Sequence, residues 1–268
     1  MRPINRYPCF AAAPHKILYK NIMPDTTLLA TVVAKAATAV SLLRSAVSNY
    51  APVVFANSLG AEDMVLTDLI WREHLPIEIF SLDTGRLPAE TYALITAAEK
   101  HYGQRINLVF PRPEDVETCV TRYGINGFYD SIEARKACCH ARKVEPLQRV
   151  LAGKGAWVTG LRVAQSTTRA GVEPIAPDAA NGLIKVSPLA DWSEDEVWAY
   201  IRANNVPYNA LHDQGYPSIG CAPCTRAIQP GEDIRAGRWW WENPQTKECG
   251  LHMVDGRLQR IVKEETSS

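Results

Sequence analysis

The chain has no excess of either charge: of 268 residues, 29 are lysine or arginine and 29 are aspartate or glutamate, for a formal net charge of zero. No global field therefore draws in a nucleic acid or an anionic membrane surface, and any anionic partner has to be held by a local cluster of cations. The sequence also lacks GxxxxGK[ST] and GxGxxG, which disfavours a Walker-type NTPase and a dinucleotide fold. On a direct reading no apolar run reaches transmembrane length, and CFAAAP near the start is too short for a signal-peptide core. Expected from this is a soluble protein with neither membrane nor nucleic-acid partner. The seven cysteines are odd in number and two of them, Cys138 and Cys139, are adjacent. That is a poor disulfide framework, so a reducing cytoplasm fits better.

What is present is ordinary globular material, 46% hydrophobic and 22% charged, enough for a sizeable core. Residues 1–24 carry Arg2, Arg6, Lys16 and Lys20 with no acid before Asp25, and read as a disordered extension, Cys9 included, or as an upstream start with Met23 the natural one. Residues 25–268 read as one domain. Its helical and strand-like segments alternate: a helix over 25–49, then PVVFAN as strand, AEDMVLTDLIWREH as helix, IEIFSL as strand, PAETYALITAAEKHYG as helix and INLVF as strand. Later come a helix around SIEARKACCHARK, the strand AWVTG, and a helix from Ser193 whose Ser193 and Glu196 make a capping box. Strands alternating with helices predict an α/β fold, a mostly parallel sheet flanked by helices on both faces. From about residue 206 to 255 the chain is rich in Gly, Pro, Trp and Arg, and should form an irregular tail over the strand ends.

Ligands in such folds bind at the carboxyl ends of strands. There the sequence reads NSLGAED (57–63), SLDTGR (81–86), FPRP (110–113) and TGLRVAQSTTR (159–169). Glycine beside hydroxyl residues, with arginine, is the chemistry of a phosphate or sulfate cradle. Each loop alone could be a plain turn; four at one edge favour an anionic nucleotide.

Cys138 and Cys139 in KACCHARK and Cys221 and Cys224 in CAPC make a set of four thiols. Structural zinc usually takes two spaced knuckles, whereas neighbouring side chains on a helix diverge by about 100°. A 4Fe–4S cluster offers separate iron atoms to such a pair, so it is favoured over zinc. Arg142 and Lys143, one turn beyond, bring positive charge to the same side. Cys119 has no partner spacing and reads as helix packing. Cys249 in KECGLH sits in a polar, charged setting between Lys247 and His252, where an exposed thiol near basic groups is reactive rather than structural.

Taken together, ACCHARK, TGLRVAQSTTR, IGCAPCTR, GRWWWE and KECGLH resemble the assimilatory adenosine 5'-phosphosulfate (adenylyl-sulfate) reductases, from about Val53 to His252. SLGAED and LDTG are similar to that family's nucleotide loops, a modified form of the SGGxDS loop of ATP-using adenylating enzymes; Leu59 and Glu62 depart from it. The resemblance implies an adenine nucleotide alpha hydrolase-like fold, a 4Fe–4S cluster on Cys138, Cys139, Cys221 and Cys224, and Cys249 as catalytic nucleophile. It further implies that Lys143, Arg162, Arg169, Arg235, Arg238 and His252 bind the phosphosulfate, and that Ser58, Gly60, Glu62, Leu82, Asp83, Thr84 and Gly85 hold the adenosine and its 5'-phosphate. The reductant implied is a separate thioredoxin, and the assembly state is open, a homo-oligomer included. Trp239 to Trp241 would either close over the nucleotide or pack the tail. The rival readings are a reductase of the 3'-phosphorylated substrate, an ATP-dependent adenylating sulfur-transfer enzyme, which would need the missing SGGxDS, and a zinc-stapled nucleic-acid module, which would need a basic stripe.

Overall fold

A computed structural model describes residues 26–165 and 172–242. Arg169, Cys249 and His252, with the 1–24 segment, lie outside the described residues.

Six strands form one sheet: β1 (Val53–Ala56), β2 (Glu78–Leu82), β3 (Asn107–Val109), β4 (Ala156–Val158), β5 (Ile175–Asp178) and β6 (Leu183–Val186). Their order is β3-β2-β1-β4-β6-β5, parallel throughout except for the antiparallel β5–β6 pair at one edge. The expected mostly parallel α/β sheet is present, and all four expected strands lie within the predicted segments. The β5–β6 hairpin was not anticipated. The helices are α1 (Thr26–Tyr50), α2 (Ala61–Arg72), α3 (Ala89–Tyr102), α4 (Pro113–Tyr123), α5 (Ile132–Cys139), α6 (Glu145–Leu151) and α7 (Glu194–Asn204).

Both faces of the sheet are covered. On one, Phe55, Ile79 and Val158 pack with residues of α1, α2, α3 and α7, such as Leu43, Leu66, Ile95 and Ile201. On the other, Val54, Phe80 and Trp157 meet Leu147 and Leu151 of α6. This double burial is why the strands read as short continuous apolar runs. The capping box of α7 is present: Ser193 Oγ accepts from the Glu196 N–H at 3.1 Å and the Glu196 carboxylate accepts from the Ser193 N–H at 2.7 Å.

One expectation needs correcting. α1 is 25 residues long with a mean hydropathy of 1.6 over its most apolar stretch, so by length and composition alone it is long and apolar enough to cross a membrane. Its alanines, threonines and valines obscure this when read beside Lys35 and Arg44. In the fold Val32, Ala39, Leu43 and Ala46 are buried against the core, and Lys35 pairs with Glu196 of α7 at 2.9 Å.

Between α5 and α6 the helix widens into one π turn, His140–Val144. Pro146 has no N–H to give to the Arg142 carbonyl and its ring crowds that oxygen, so the chain takes a wider turn there; the Glu145 N–H reaches back five residues to His140.

Candidate active site

In the strand order, chain progression reverses between β1 and β4, and a crevice opens at the carboxyl ends beside that point. A cavity of about 240 Å³ lies there. The loop after β1 forms one wall. Asp63, buried, accepts from the Ser58 N–H and the Ser58 hydroxyl, both at 2.6 Å. Burial pushes its carboxyl up to about 6, against the lowering effect of those Ser58 bonds. Leu59 stands where the adenylating enzymes' loop has glycine, and its backbone is left-handed, with φ 64°. Such a conformation costs roughly 1–2 kcal/mol for a side chain with a Cβ. It is held by burial and by Asn57, whose Oδ1 accepts from the Leu59 N–H at 2.6 Å. A Cβ at Gly160, after β4, would overlap the Asp63 carboxylate, so the two loops interlock only because that residue is glycine.

The loop after β2 is tied by Asp83, whose Oδ1 accepts from the Gly85 N–H and the Tyr92 hydroxyl, each at 2.8 Å. Gly85 takes φ 69°, and the Arg142 guanidinium donates to the Thr84 carbonyl at 2.6 Å. Phe80, Leu82, Leu147 and Trp157 supply an apolar wall suited to a flat base. Trp157 is fixed from behind by its indole N–H, which donates to Asp178 at 2.9 Å.

Of the residues expected to bind substrate, Ser58, Gly60, Glu62, Leu82, Thr84, Lys143, Arg235 and Arg238 line the cavity. Asp83 and Gly85 do not; they shape the loop that does. Arg162 is also absent from the lining. It is buried behind the wall, its Nε donating to Glu62 Oε1 at 2.8 Å and its Nη1 to the Trp192 carbonyl at 3.2 Å. FPRP lies away from the cavity, with Phe110 exposed. Sequence reasoning passed over Trp157 and His212, which carry no motif signal, and Asp63, which sat inside NSLGAED unassigned; Trp239, open between two roles in the sequence, lines the cavity.

Next to this cavity is a second, smaller one lined by Cys138, Cys139, Cys221 and Cys224 with Arg142 and Lys143. Lys143 lines both. The two adjacent cysteines reach one cavity because α5 ends on them, and the π turn then brings Arg142 and Lys143 to the same side. Cys221 approaches the Thr84 hydroxyl at 3.2 Å. Burial works to raise its thiol, but Lys143, the Thr84 contact, Arg238 and Arg142 together bring it below the ordinary range. Burial, then Cys221 and Cys139, push Cys224 up to about 12, and burial likewise raises Cys138. Neighbouring thiols help to raise Cys138 and Cys224, which fits a site completed by bound positive charge.

Among the described residues no group of three or more His, Cys, Asp or Glu side chains is arranged to hold a metal ion. A single tetrahedral zinc with bonds near 2.3 Å would need sulfurs within roughly 4 Å of one another. Four cysteines lining one small cavity are the donor type that a zinc ion or an iron–sulfur group takes.

The tryptophans close this region. Trp239 lies between two guanidiniums, Arg135 at 4.8 Å and Arg238 at 4.7 Å from its ring, and packs against Cys139 and Cys224 while also lining the larger cavity. Trp240 is exposed, and Trp241 stacks edge-on against Tyr129. The three residues thus divide between the alternatives: Trp239 belongs to the cavity wall, and Trp241 packs the tail.

Residues 52–227 match the phosphoadenosine phosphosulfate reductase domain. The chain is 64% identical over 222 residues to an adenosine 5'-phosphosulfate reductase of Allochromatium vinosum, covering 83% of this chain and 87% of that one. It is 54% identical over 229 residues to one of Burkholderia cepacia, covering 85% and 92%. Among solved structures it is similar to a phosphoadenylyl-sulfate reductase from Candida auris in complex with phosphate, with a TM-score of 0.61 and 27% identity over 74% of this chain and 96% of that one. An FMN adenylyltransferase of Candida glabrata shares the fold at a TM-score of 0.54 and 18% identity, over 88% and 83%. The nucleotide-sized crevice at the strand ends and the cations beside it accord with these relationships, and the chain belongs to the phosphoadenosine phosphosulfate reductase family of oxidoreductases.

Proposed function

We propose that this enzyme reduces adenosine 5'-phosphosulfate to sulfite and AMP in sulfate assimilation, with reduced thioredoxin as electron donor. The observation that carries the reading is the pairing of two cavities across Lys143: one sized and lined for a nucleoside with cations at its thiol side, the other ringed by four cysteines. The relatives named adenosine 5'-phosphosulfate reductase, more than half identical to this chain, support the substrate. The four cysteines are the second support for the nucleotide without a 3'-phosphate, since in the family this chain resembles the members that lack the paired cysteines use the 3'-phosphorylated substrate and hold no cluster.

Cys138, Cys139, Cys221 and Cys224 would hold a 4Fe–4S cluster. When bound, that group supplies a fixed charge centre beside the phosphosulfate; sulfonyl transfer and thiol exchange already account for both electrons. Lys143, Arg235 and Arg238, with Arg169 and His252, bind the phosphosulfate oxygens and take up the charge that develops on the departing phosphate. Ser58, Gly60, Leu82 and Thr84 seat the nucleoside, while Glu62, Asp83, Gly85 and Arg162 hold its loops. The Cys249 thiolate attacks the sulfur, the S–O bond to the phosphate breaks with its electron pair leaving on AMP, and an S-sulfocysteine remains. A thioredoxin thiolate then attacks the Cys249 sulfur and expels sulfite, forming a mixed disulfide. The second thioredoxin thiol resolves it, so a dithiol is oxidised to a disulfide as sulfur gains two electrons.

The test is sulfite release from each nucleotide with reduced thioredoxin. A far higher kcat/KM for adenosine 5'-phosphosulfate than for its 3'-phosphorylated form is expected; equal or reversed preference would overturn the substrate assignment.

A further inference from the structure

Two residues that line the nucleotide cavity each carry a buried hydrogen-bonding atom with no partner among the described residues: His212 at Nε2 and Trp239 at its indole N–H. Burying such groups unpaired is costly, so a native wall that keeps them is built around something that fills them. They differ in polarity and in place. Trp239 sits with Arg238 against the thiols and can only donate, which suits the anionic end of a ligand.

His212 is elsewhere, beside Glu62. It is 7% exposed and rigidly presented. Its short helical turn is capped by Asn209, fully buried, whose Oδ1 accepts from the Leu211 N–H at 3.1 Å and whose amide donates to Thr91 at 2.9 Å. The imidazole meets Trp198 edge-on at 5.2 Å. The Tyr216 main chain favours a proton on the ring, and with Nε2 buried and unpartnered among the described residues that proton is placed on Nδ1. Burial keeps the ring below the ordinary histidine range, and so neutral. A neutral ring protonated on Nδ1 presents a bare lone pair at Nε2. With the Glu62 and Asp63 carboxylates in the same wall, this part of the cavity is rich in acceptors and suits a hydrogen-bond donor, such as a hydroxyl.

We propose that His212 is a substrate-contacting specificity residue whose Nε2 accepts a hydrogen bond from a hydroxyl of the nucleoside sugar. The assignment rests on the cavity being a nucleotide site, as argued above. A phosphate on that hydroxyl would remove the donor and set an anion against acceptors, so the same contact disfavours sugar-phosphorylated nucleotides.

The test is a binding cycle on the full chain by calorimetry, with AMP, 2'-deoxy-AMP, 3'-deoxy-AMP and purine riboside 5'-monophosphate, on wild type, His212→Phe and His212→Gln. Wild type is expected to lose about 3- to 10-fold in affinity when one of the two hydroxyls is removed, as for one net hydrogen bond. His212→Phe, which keeps the packing on Trp198, should bind AMP about tenfold more weakly and lose less than twofold further on removal of that hydroxyl. His212→Gln, which restores an acceptor near Nε2, should regain part of the coupling. If the phenylalanine variant does not fold by circular dichroism, His212→Asn, too short to reach the Nε2 position, takes its place. Equal losses in wild type and variant for both deoxy nucleotides, or coupling confined to the purine amine, would overturn the assignment. Failure of wild type to bind AMP would instead overturn the nucleotide reading on which it rests.

Discussion

Arg135 and Glu242 form a buried two-pronged ion pair, Nε to Oε1 at 2.6 Å and Nη2 to Oε2 at 3.0 Å, with side chains 0% and 5% exposed. The pair joins the helix that carries Cys138 and Cys139 to the segment just beyond the three tryptophans. Removing one partner strands a charge in the interior, whereas replacing both with apolar groups does not. Arg135→Met should therefore destabilise the protein by about 3–5 kcal/mol, and Arg135→Met with Glu242→Leu by far less, in urea or thermal unfolding. A double variant as weak as the single would show that the pair contributes through something other than its charges.

Gly160→Ala is expected to reduce AMP affinity at least tenfold. The added Cβ overlaps the Asp63 carboxylate and crowds Glu62, and Asp63 cannot yield without releasing Ser58. Overpacking of this kind costs about 1–3 kcal/mol. Calorimetric titration with AMP checks it; unchanged affinity would mean the two loops move independently.

Asp63 makes stability depend on pH in the direction opposite to a salt-bridged carboxylate. Its folded value of about 6 lies above the ordinary 3.8, chiefly through burial, so between those values the native state holds more proton than the unfolded chain. Its stabilising contribution is complete below pH 3.8 and is lost as pH rises through 6. Asp63→Asn should flatten this falling slope in unfolding midpoints measured from pH 4 to 7. An identical slope in the variant would assign the proton elsewhere.

Lys143→Met should lower kcat/KM for adenosine 5'-phosphosulfate by about 10²–10³, the usual loss for one group that stabilises developing negative charge. Steady-state kinetics would measure it, and a rise in KM alone would place Lys143 in ground-state binding only.

Anaerobically purified protein is expected to hold about four iron and four sulfide per chain, and Cys221→Ser to lose both iron and activity. Protein mixed with substrate and no thioredoxin should gain one SO3 on the peptide containing Cys249, discharged as sulfite by reduced thioredoxin. Cys249→Ser should form no adduct yet keep its iron. Mass spectrometry and metal analysis test these together, and an adduct on another cysteine would show that ligand and nucleophile had been exchanged.

Much of the frame was legible in the sequence because each piece of it obeys local rules. Strands buried on both faces read as short apolar runs, and Ser193 with Glu196 announced the start of α7. The β5–β6 hairpin was missed because Ile175–Asp178 contains a proline and an aspartate in four residues and sits at a sheet edge, where neither is penalised. The cavity loops could be found because strand ends are predictable places. His212 could not: its importance comes from a lone pair left bare after Asn209, Trp198 and Tyr216 have fixed the ring, which no spacing encodes. Arg162 was legible as a cation near the site, but its pairing with Glu62 depends on contact across about a hundred residues of chain.

Lys143 faces both cavities, so the two are thermodynamically linked. One ammonium group neutralises the thiol side and meets whatever anion enters from the nucleotide side. Whatever free energy a bound anion draws from that ammonium is no longer available to ionised sulfur, and by reciprocity ionised sulfur weakens the anion's hold by the same factor. The thiol chemistry and the nucleotide occupancy of this enzyme are therefore two readings of one proton-and-charge equilibrium. Titrating either should displace the other.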